Sequence, residues 1–248
     1  MDFLPSLSNV GAYAFFLDFD GTLTEIADTP AAVVVDPRLP AALASLSAST
    51  GGAVAIVTGR EIGTIDRLLS PLRLPVAGVH GYELRDAGGF RLTEASDEAA
   101  GARIESLLAE FVAQNPGLLL EKKRGALALH YRLRPELEAL CLALVRELAD
   151  PLPGFILTHG KMVVELRLHR ATKGTAIGLF MQQQPFQGRV PFFAGDDATD
   201  EDAMVVVNAL GGITAKVGPG ESAAQYRIPD VPSFLSWLSA TADTFEGL

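Results

Sequence analysis

The sequence predicts an α/β protein, a doubly wound parallel sheet with a smaller α+β unit inserted into it. Three observations predict this. Short runs such as residues 12–17 and 53–57 are apolar at every position, as strands covered on both faces must be. These runs alternate with helix-length segments on either side of a central stretch. Within that stretch, residues 96–168, the order becomes helix then hairpin, twice over. The sheet-forming part is Rossmann-like in pattern.

Residues 12–17 read as the first strand and residues 40–47, opening at Pro40, as the helix after it. Gly51 and Gly52 lead into a second buried strand, 53–57. Residues 61–69 read as a helix that stops before Pro71. A short strand follows at 76–79, and residues 83–92, with Gly88 and Gly89 at their middle, carry the turn signal of a hairpin. In the insert, Ile104, Leu107, Leu108 and Phe111 recur at helical spacing over 97–114. Strands 118–121 and 126–131 flank a turn holding Lys122, Lys123, Arg124 and Gly125. A second helix, 135–149, leads to strands 155–158 and 162–168 around His159, Gly160 and Lys161. The first pattern then resumes with helix 173–182, strand 190–194, helix 200–210, a last strand 213–217 and a closing helix 233–240. The expected division is a core of 1–95 and 169–248 around a cap of 96–168.

Composition excludes several function classes. A chain of 248 residues can bury a core without disulfides or a structural metal, and 48% hydrophobic against 20% charged residues argues against disorder. Mean hydropathy is +0.25, yet no apolar run approaches the ~20 residues of a spanning helix, so no membrane partner is expected. Residues 1–5 lack the basic segment of a secretory leader, and the lone Cys141, inside an apolar run, reads as a small core residue. Together these predict a cytoplasmic protein, expected as a monomer. The net charge of −10 provides no basic field for nucleic acid, although a small phosphorylated ligand needs only a local cluster of cations.

The chemistry concentrates at three strand ends and one helix start. Asp18-Phe-Asp20-Gly-Thr22 follows the first strand; residues two apart point the same way, and Gly21 permits a sharp turn that keeps both carboxylates in the crevice. In open α/β sheets that end of the strands is where ligands bind. Thr58-Gly59-Arg60 follows the second strand, and a hydroxyl with backbone amides at a strand-to-helix turn suits a phosphate. Lys173 opens a later helix. Asp196, Asp197 and Asp200 follow strand 190–194, and clustered acids there call for solvent or a hard divalent cation, Mg²⁺ first.

In order and context these four segments resemble the motifs of the haloacid-dehalogenase-like (HAD) phosphohydrolases. The resemblance implies a HAD core in which Asp18 attacks phosphorus and Asp20 protonates the leaving group, then activates water. It implies Thr58 and Lys173 on the phosphoryl oxygens, with Gly59 and Arg60 beside them. It also implies Mg²⁺ on Asp18, the backbone carbonyl of Asp20 and Asp196, supported by Asp197 or Asp200. The segments Gly78-Val-His80-Gly-Tyr-Glu83, Ala128-Leu-His130-Tyr-Arg132 and Gly160 to Arg167 further resemble the trehalose-6-phosphate phosphatases. That family's sugar-gripping residues fall on Glu121, Lys123 and Glu165, and Arg124 stands where the family usually has glycine. The substrate implied is a sugar phosphate, trehalose 6-phosphate, with sucrose 6-phosphate, a mannosyl phosphoglycerate or a phosphomannomutase reaction as alternatives. A receiver-like phosphoaspartate module would need neither Asp20 nor a cap.

Charge in the insert is segregated. Its helices carry eight acids against Arg103 and Arg146; its hairpins carry seven cations against Glu121 and Glu165. Cationic strands deter edge pairing, or they form a lid over an anionic ligand that includes Lys161. Along strand 126–131, His130 and Tyr131 face opposite ways, so one of them is expected at the ligand, and Arg132 shares the side of His130 if the strand is regular. The insert has ten acids and nine bases, so nine of the ten net negative charges belong to the core.

Overall fold

The computed structural model describes residues 4–7, 9–27, 29–89, 95–123, 126–149, 155–160, 162–168 and 172–243. The chain forms two compact units, Met1–Leu92 with Thr172–Leu248, and Thr93–Ala171.

The first unit is built on a seven-stranded sheet. Its strands are β1 (Tyr13–Leu17), β2 (Val54–Val57), β3 (Val76–Gly78), β4 (Glu83–Arg85), β9 (Val190–Gly195), β10 (Ile213–Val217) and β11 (Tyr226–Ile228). They lie in the order β11-β10-β9-β1-β2-β3-β4, and every pairing is parallel except that of β4 with β3. Helices α1 (Leu39–Ser49), α2 (Ile62–Leu68) and α7 (Val231–Asp243) cover one face, α5 (Lys173–Phe180) and α6 (Glu201–Ala209) the other. The period of two in β1 sorts its side chains between them. Phe15 and Leu17 pack with Leu43, Leu46 and Phe234, whereas Ala14 and Phe16 pack with Ile177, Phe180 and Met204. Burying each such phenylalanine or leucine is worth about 1.5–3 kcal/mol, which is why these strands need no polar face. The doubly wound α/β class expected from the sequence is the class observed.

Chain order reverses beside β1. Successive strands run β1, β2, β3 to one side, and after the second unit the chain returns through β9 and β10 on the other. Ligands in such sheets bind at the carboxyl ends of the strands flanking that reversal. Here the flanking strands are β1 and β9, paired with Leu17 opposite Ala194.

The second unit is an antiparallel sheet in the order β5-β6-β8-β7, formed by β5 (Leu119–Lys123), β6 (Ala126–His130), β7 (Phe155–Gly160) and β8 (Val163–Leu168). Ile104 and Leu108 of α3 (Ala95–Gln114) and Cys141 and Val145 of α4 (Glu138–Ala149) pack on Leu127, Leu129, Val164 and Leu166. Cys141 is fully buried, and burial pushes its thiol up from the usual value, in keeping with a core role.

Residues 83–85 pair antiparallel with β3 through a turn at Val79–Gly81, and residues 90–92, the far side of the expected hairpin, lie outside the described residues. Two expectations need correcting. Strand 213–217 is not the last, because Tyr226–Ile228 adds β11 at the sheet edge, and three residues are too few to show any periodicity. Regular strand ends at His130, so Arg132 sits exposed in a turn where Arg134 N–H donates to the Tyr131 carbonyl, and alternation does not set its side.

Candidate active site

The site grows from the register of β1 and β9. Asp18 N–H donates to the Ala194 carbonyl at 3.0 Å, so the residue after β1 lies level with the end of β9, where Asp196 follows Gly195. The chain beyond Asp18 turns tightly. The Phe19 carbonyl accepts from Leu23 N–H and Thr24 N–H, and Gly21 N–H donates to Thr24 O at 2.7 Å. Gly21 has φ of +80°, and a Cβ there would stand 2.1 Å from Asp196 Oδ2. Only glycine satisfies both the backbone and the approach of that carboxylate. Thr22 Oγ1 is buried in this turn and, among the described residues, has no hydrogen-bond partner.

Lys173 crosses to this point from the start of α5. Thr172 caps that helix by accepting from Thr175 N–H, and Gly174 N–H donates to Asp202 Oδ2 at 3.0 Å, which ties α5 to α6. A Cβ on Gly174 would meet the Asp202 carbonyl oxygen at 2.8 Å, so the two helix starts can touch only there. The ammonium donates at 2.7 Å to both Asp18 Oδ1 and Asp200 Oδ1, and all three side chains are almost fully buried. Asp200 Oδ2 accepts from the backbone N–H groups of Asp196 and Asp197 at 3.0 and 3.1 Å. Asp200 thus binds the lysine with one oxygen and shapes the acidic loop with the other. Gly195 permits it, since a Cβ there would stand 2.4 Å from the Asp200 carboxyl carbon.

Burial dominates the electrostatics. It pushes Asp18 up to about 7, with Lys173 pulling down and Asp196 pushing further up. Burial and the charge of Asp18 push Asp200 to about 7 against the same lysine. Burial, with Asp200 and Asp197, pushes Asp196 to about 6. Burial also disfavours the Lys173 charge, but the two carboxylates more than offset it and hold the ammonium above its ordinary value.

Carboxylate oxygens of Asp18, Asp196 and Asp200 all lie within 4.8 Å of one another. Three carboxylate oxygen donors, gathered from the ends of the paired strands β1 and β9, fit a divalent cation of the Mg²⁺ type. The other two acids named for a metal are engaged elsewhere by their side chains. Asp20 forms an ion pair with Arg60, and Asp197 Oδ1 accepts from Thr199 N–H at 2.8 Å and from its hydroxyl at 2.7 Å. That hydrogen bond holds Asp197 below the usual carboxylate value despite partial burial.

Thr58, buried at the end of β2, donates its N–H to Ala77 O at 2.8 Å, and its Oγ1 accepts from Arg60 N–H at 3.1 Å. Gly59 lies against the His80 ring, which a Cβ would meet at 2.8 Å, so His80 shapes the Thr58 loop. Glu83 carries the same turn from below, its carboxylate accepting from Ile62 N–H at 3.0 Å.

One residue escaped the sequence reading. Lys216 is 4% exposed on β10, opposite Gly195 of β9, and its charge pulls the Asp196 carboxyl down. The signal was present, a lysine within the apolar strand Ile213-Thr-Ala-Lys216-Val at its carboxyl end. A second cation here offsets acidity that Lys173 alone does not reach.

In the second unit, Glu121, Ala128 and Glu165 share one rung of the sheet. Leu127 and Leu129 face the helices, so the alternating residues Glu121, Ala128, His130 and Glu165 occupy the opposite face. His130 Nε2 lies 2.9 Å from Glu121 Oε2. Tyr131 takes the other direction, buried with its hydroxyl donating to Glu138 Oε1 at 2.9 Å, and burial and that carboxylate push it up to about 12. Lys122 donates to Glu105 of α3 at 2.6 Å, so part of the segregated charge is helix-to-sheet pairing. The Lys123 side chain, Arg124 and Lys161 lie outside the described residues.

The family profile described as trehalose-phosphatase matches residues 16–231. Trehalose-6-phosphate phosphatase of Escherichia coli strain K12 is 42% identical over 234 residues, covering 94% of this chain and 87% of that one. A probable trehalose-phosphate phosphatase of Sinorhizobium fredii is 44% identical, covering 94% and 88%. Among solved structures, Aspergillus fumigatus trehalose-6-phosphate phosphatase aligns with a TM-score of 0.76 over 97% of this chain and 99% of that one. At 24% identity, that likeness speaks for the fold alone.

Proposed function

The chain belongs to the trehalose-phosphatase family, and from that premise we propose that it hydrolyses trehalose 6-phosphate to trehalose and phosphate in trehalose biosynthesis. The observation that carries the reading is the buried Asp18–Lys173–Asp200 bridge beside Asp196 at the reversal of the sheet. It joins a carboxylate nucleophile, a cation for phosphoryl oxygens and acids for a metal in one crevice.

In the proposed reaction an Asp18 carboxylate oxygen bonds to phosphorus as the bond from phosphorus to the sugar oxygen breaks. Asp20 gives its proton to the departing alkoxide. Water then attacks the aspartyl phosphate, its proton passes to Asp20, and the Asp18 carboxylate is released with inorganic phosphate. Lys173 and the Thr58 hydroxyl, with the Gly59 amide, donate to phosphoryl oxygens, where negative charge persists throughout. Thr58 Oγ1 already accepts from Arg60 N–H, which leaves its proton to point at the phosphoryl group.

Asp18, Asp196 and Asp200, with the Asp20 carbonyl and Asp197 nearby, would hold Mg²⁺. Bound there, it offsets the repulsion between an anionic nucleophile and an anionic substrate. Residues 96–168 are the proposed cap. Its Glu121 and Glu165 would accept from sugar hydroxyls, with His130 orienting Glu121, and Lys123, Arg132 and Lys161 would serve as donors. No helix among the described residues is long and apolar enough to cross a membrane, and the buried thiol of Cys141 suits a reducing cytoplasm. We take the working form to be a monomer.

The direct test is phosphate release from a panel of sugar phosphates with and without Mg²⁺. Trehalose 6-phosphate is expected to be the best substrate by kcat/KM and to require the cation. Faster turnover of sucrose 6-phosphate or a mannosyl phosphoglycerate would displace the substrate assignment while keeping the chemistry.

A second test uses stability. Asp18, Asp196 and Asp200 ionise near 4 in the unfolded chain but at about 6 to 7 when folded. As pH rises through that interval the unfolded chain sheds these protons first, so the cation-free protein loses stability from pH 4 to 7 and stays weaker above. Mg²⁺ competes with the same protons. Thermal melts are therefore expected to show a larger Mg²⁺-induced rise at pH 8 than at pH 5.5. An increment independent of pH would contradict a site built from these three carboxylates.

A further inference from the structure

Asp20 is reached by Arg60 in a way that the phosphate-binding role expected of this arginine does not explain. Arg60 Nε donates to Asp20 Oδ2 and Nη2 to Asp20 Oδ1, each at 2.7 Å, so both carboxylate oxygens are held at once. The guanidinium carbon lies 5.8 Å from the centre of the Phe19 ring, and the arginine side chain is only 11% exposed. Its backbone is fixed as well, N–H to Thr58 Oγ1 at 3.1 Å and C=O accepting from Val79 N–H at 3.0 Å. Asp20 is the more exposed partner, with 38% of its side chain accessible.

A short carboxylate has two torsions, and a two-point fork of this kind removes the freedom of both. Phe19, between Asp18 and Asp20 in sequence, fixes the guanidinium from its face. Arg60 is therefore anchored by the loop after β2 and by the turn after β1, and what it offers the crevice is a defined plane for the Asp20 carboxylate.

We infer that Arg60 is a positioning residue for Asp20 rather than a ligand of the phosphoryl group: the fork holds the ionised carboxylate that takes a proton from water, and when Asp20 carries the proton one oxygen leaves the fork to donate it while the other keeps its N–H. The inference rests on the phosphatase reading, in which Asp20 gives a proton to the alkoxide and later takes one from water. Its consequence is a dependence on the leaving group. A sugar alkoxide cannot depart without a proton, whereas 4-nitrophenolate can, so only the former needs Asp20 oriented in the first step. Both substrates need it when the aspartyl phosphate is hydrolysed.

The test compares wild type, Arg60→Met, Arg60→Lys and Asp20→Asn on trehalose 6-phosphate and on 4-nitrophenyl phosphate, with rapid mixing for the first turnover. For Arg60→Met, kcat on trehalose 6-phosphate is expected to fall about 100-fold with KM nearly unchanged. First-turnover release of 4-nitrophenolate should stay within about threefold, followed by slow turnover, giving a burst of one product per enzyme. Arg60→Lys keeps the charge without the fork and should show the same pattern at smaller amplitude, which carries the test if the methionine variant does not fold. Combining Arg60→Met with Asp20→Asn should cost little more than Asp20→Asn alone, since the arginine acts through the aspartate. Equal losses on both substrates with a raised KM would overturn the inference and return Arg60 to the phosphoryl group. Unchanged kinetics would overturn it too. A wild-type protein inactive on both substrates would overturn the phosphatase reading itself.

Discussion

Asp18→Asn is expected to reduce phosphate release from trehalose 6-phosphate by about 10⁴- to 10⁶-fold, the scale of losing a nucleophile. The amide is nearly isosteric and its oxygen can still accept from the Lys173 ammonium, now 2.7 Å from Asp18 Oδ1. What it lacks is an anionic oxygen to bond to phosphorus. The same change removes a charge that burial holds at a disadvantage, shown by a carboxyl pushed up to about 7. The variant should therefore melt at or above the wild-type temperature at pH 8 without divalent cation, so that lost activity cannot be ascribed to lost fold. Single-turnover phosphate release and a thermal melt check both halves. Retention of more than about 1% of the wild-type rate would remove Asp18 from the nucleophile's role.

Lys173→Met is expected to do the opposite to stability while also slowing turnover. Its ammonium is the shared partner of Asp18 and Asp200, and all three side chains are buried. Removing the cation leaves two buried carboxylates facing each other, and breaking a buried ion pair in this way costs about 3–5 kcal/mol. Urea denaturation at pH 8 should show that loss, and Mg²⁺ should recover part of it by supplying positive charge to the same acids. Lowering the pH toward 5 should recover part of it as well, because Asp18 and Asp200, with values of about 7, are then protonated. Turnover should fall by about 10²- to 10³-fold from the lost phosphoryl contact alone. An unchanged denaturation midpoint at pH 8 would mean that the bridge carries no net stabilisation.

Three of the four chemical segments were legible because each follows a strand with a continuous apolar run, whereas Lys173 stands at a helix start. Residues 12–17 and 53–57, apolar throughout and strand-sized, put Asp18, Asp20 and Thr58 at carboxyl ends of strands, where β1 and β2 hold them. In the second unit, alternation sufficed to set His130 and Tyr131 on opposite faces, while the choice between them needed the sheet. Tyr131 went inward because Glu138 of α4 waits there for its hydroxyl. The resemblance alone put Lys123 rather than Lys122 at the sugar, and the contact of Lys122 with Glu105 depends on how α3 lies across β5. Lys216 was passed over because one lysine in an apolar strand resembles an edge residue until β10 is seen to be internal, between β9 and β11.

Which residues stand at strand ends, and in what order, is written locally, because burial on two faces dictates composition. Their partnerships come from the packing of segments far apart in the chain. Lys173 is 155 residues from Asp18 and 27 from Asp200, and Arg60 is 40 from Asp20. Local spacing carries no information about which of two crevice cations meets which acid. That follows from the pairing of β1 with β2 and β9 and from the glycines at 21, 174 and 195, where a single methyl group would hold the partners apart. The acidity that makes the chain a poor host for anions overall becomes, at this one crossing, an array already paired with lysine and spaced for a cation.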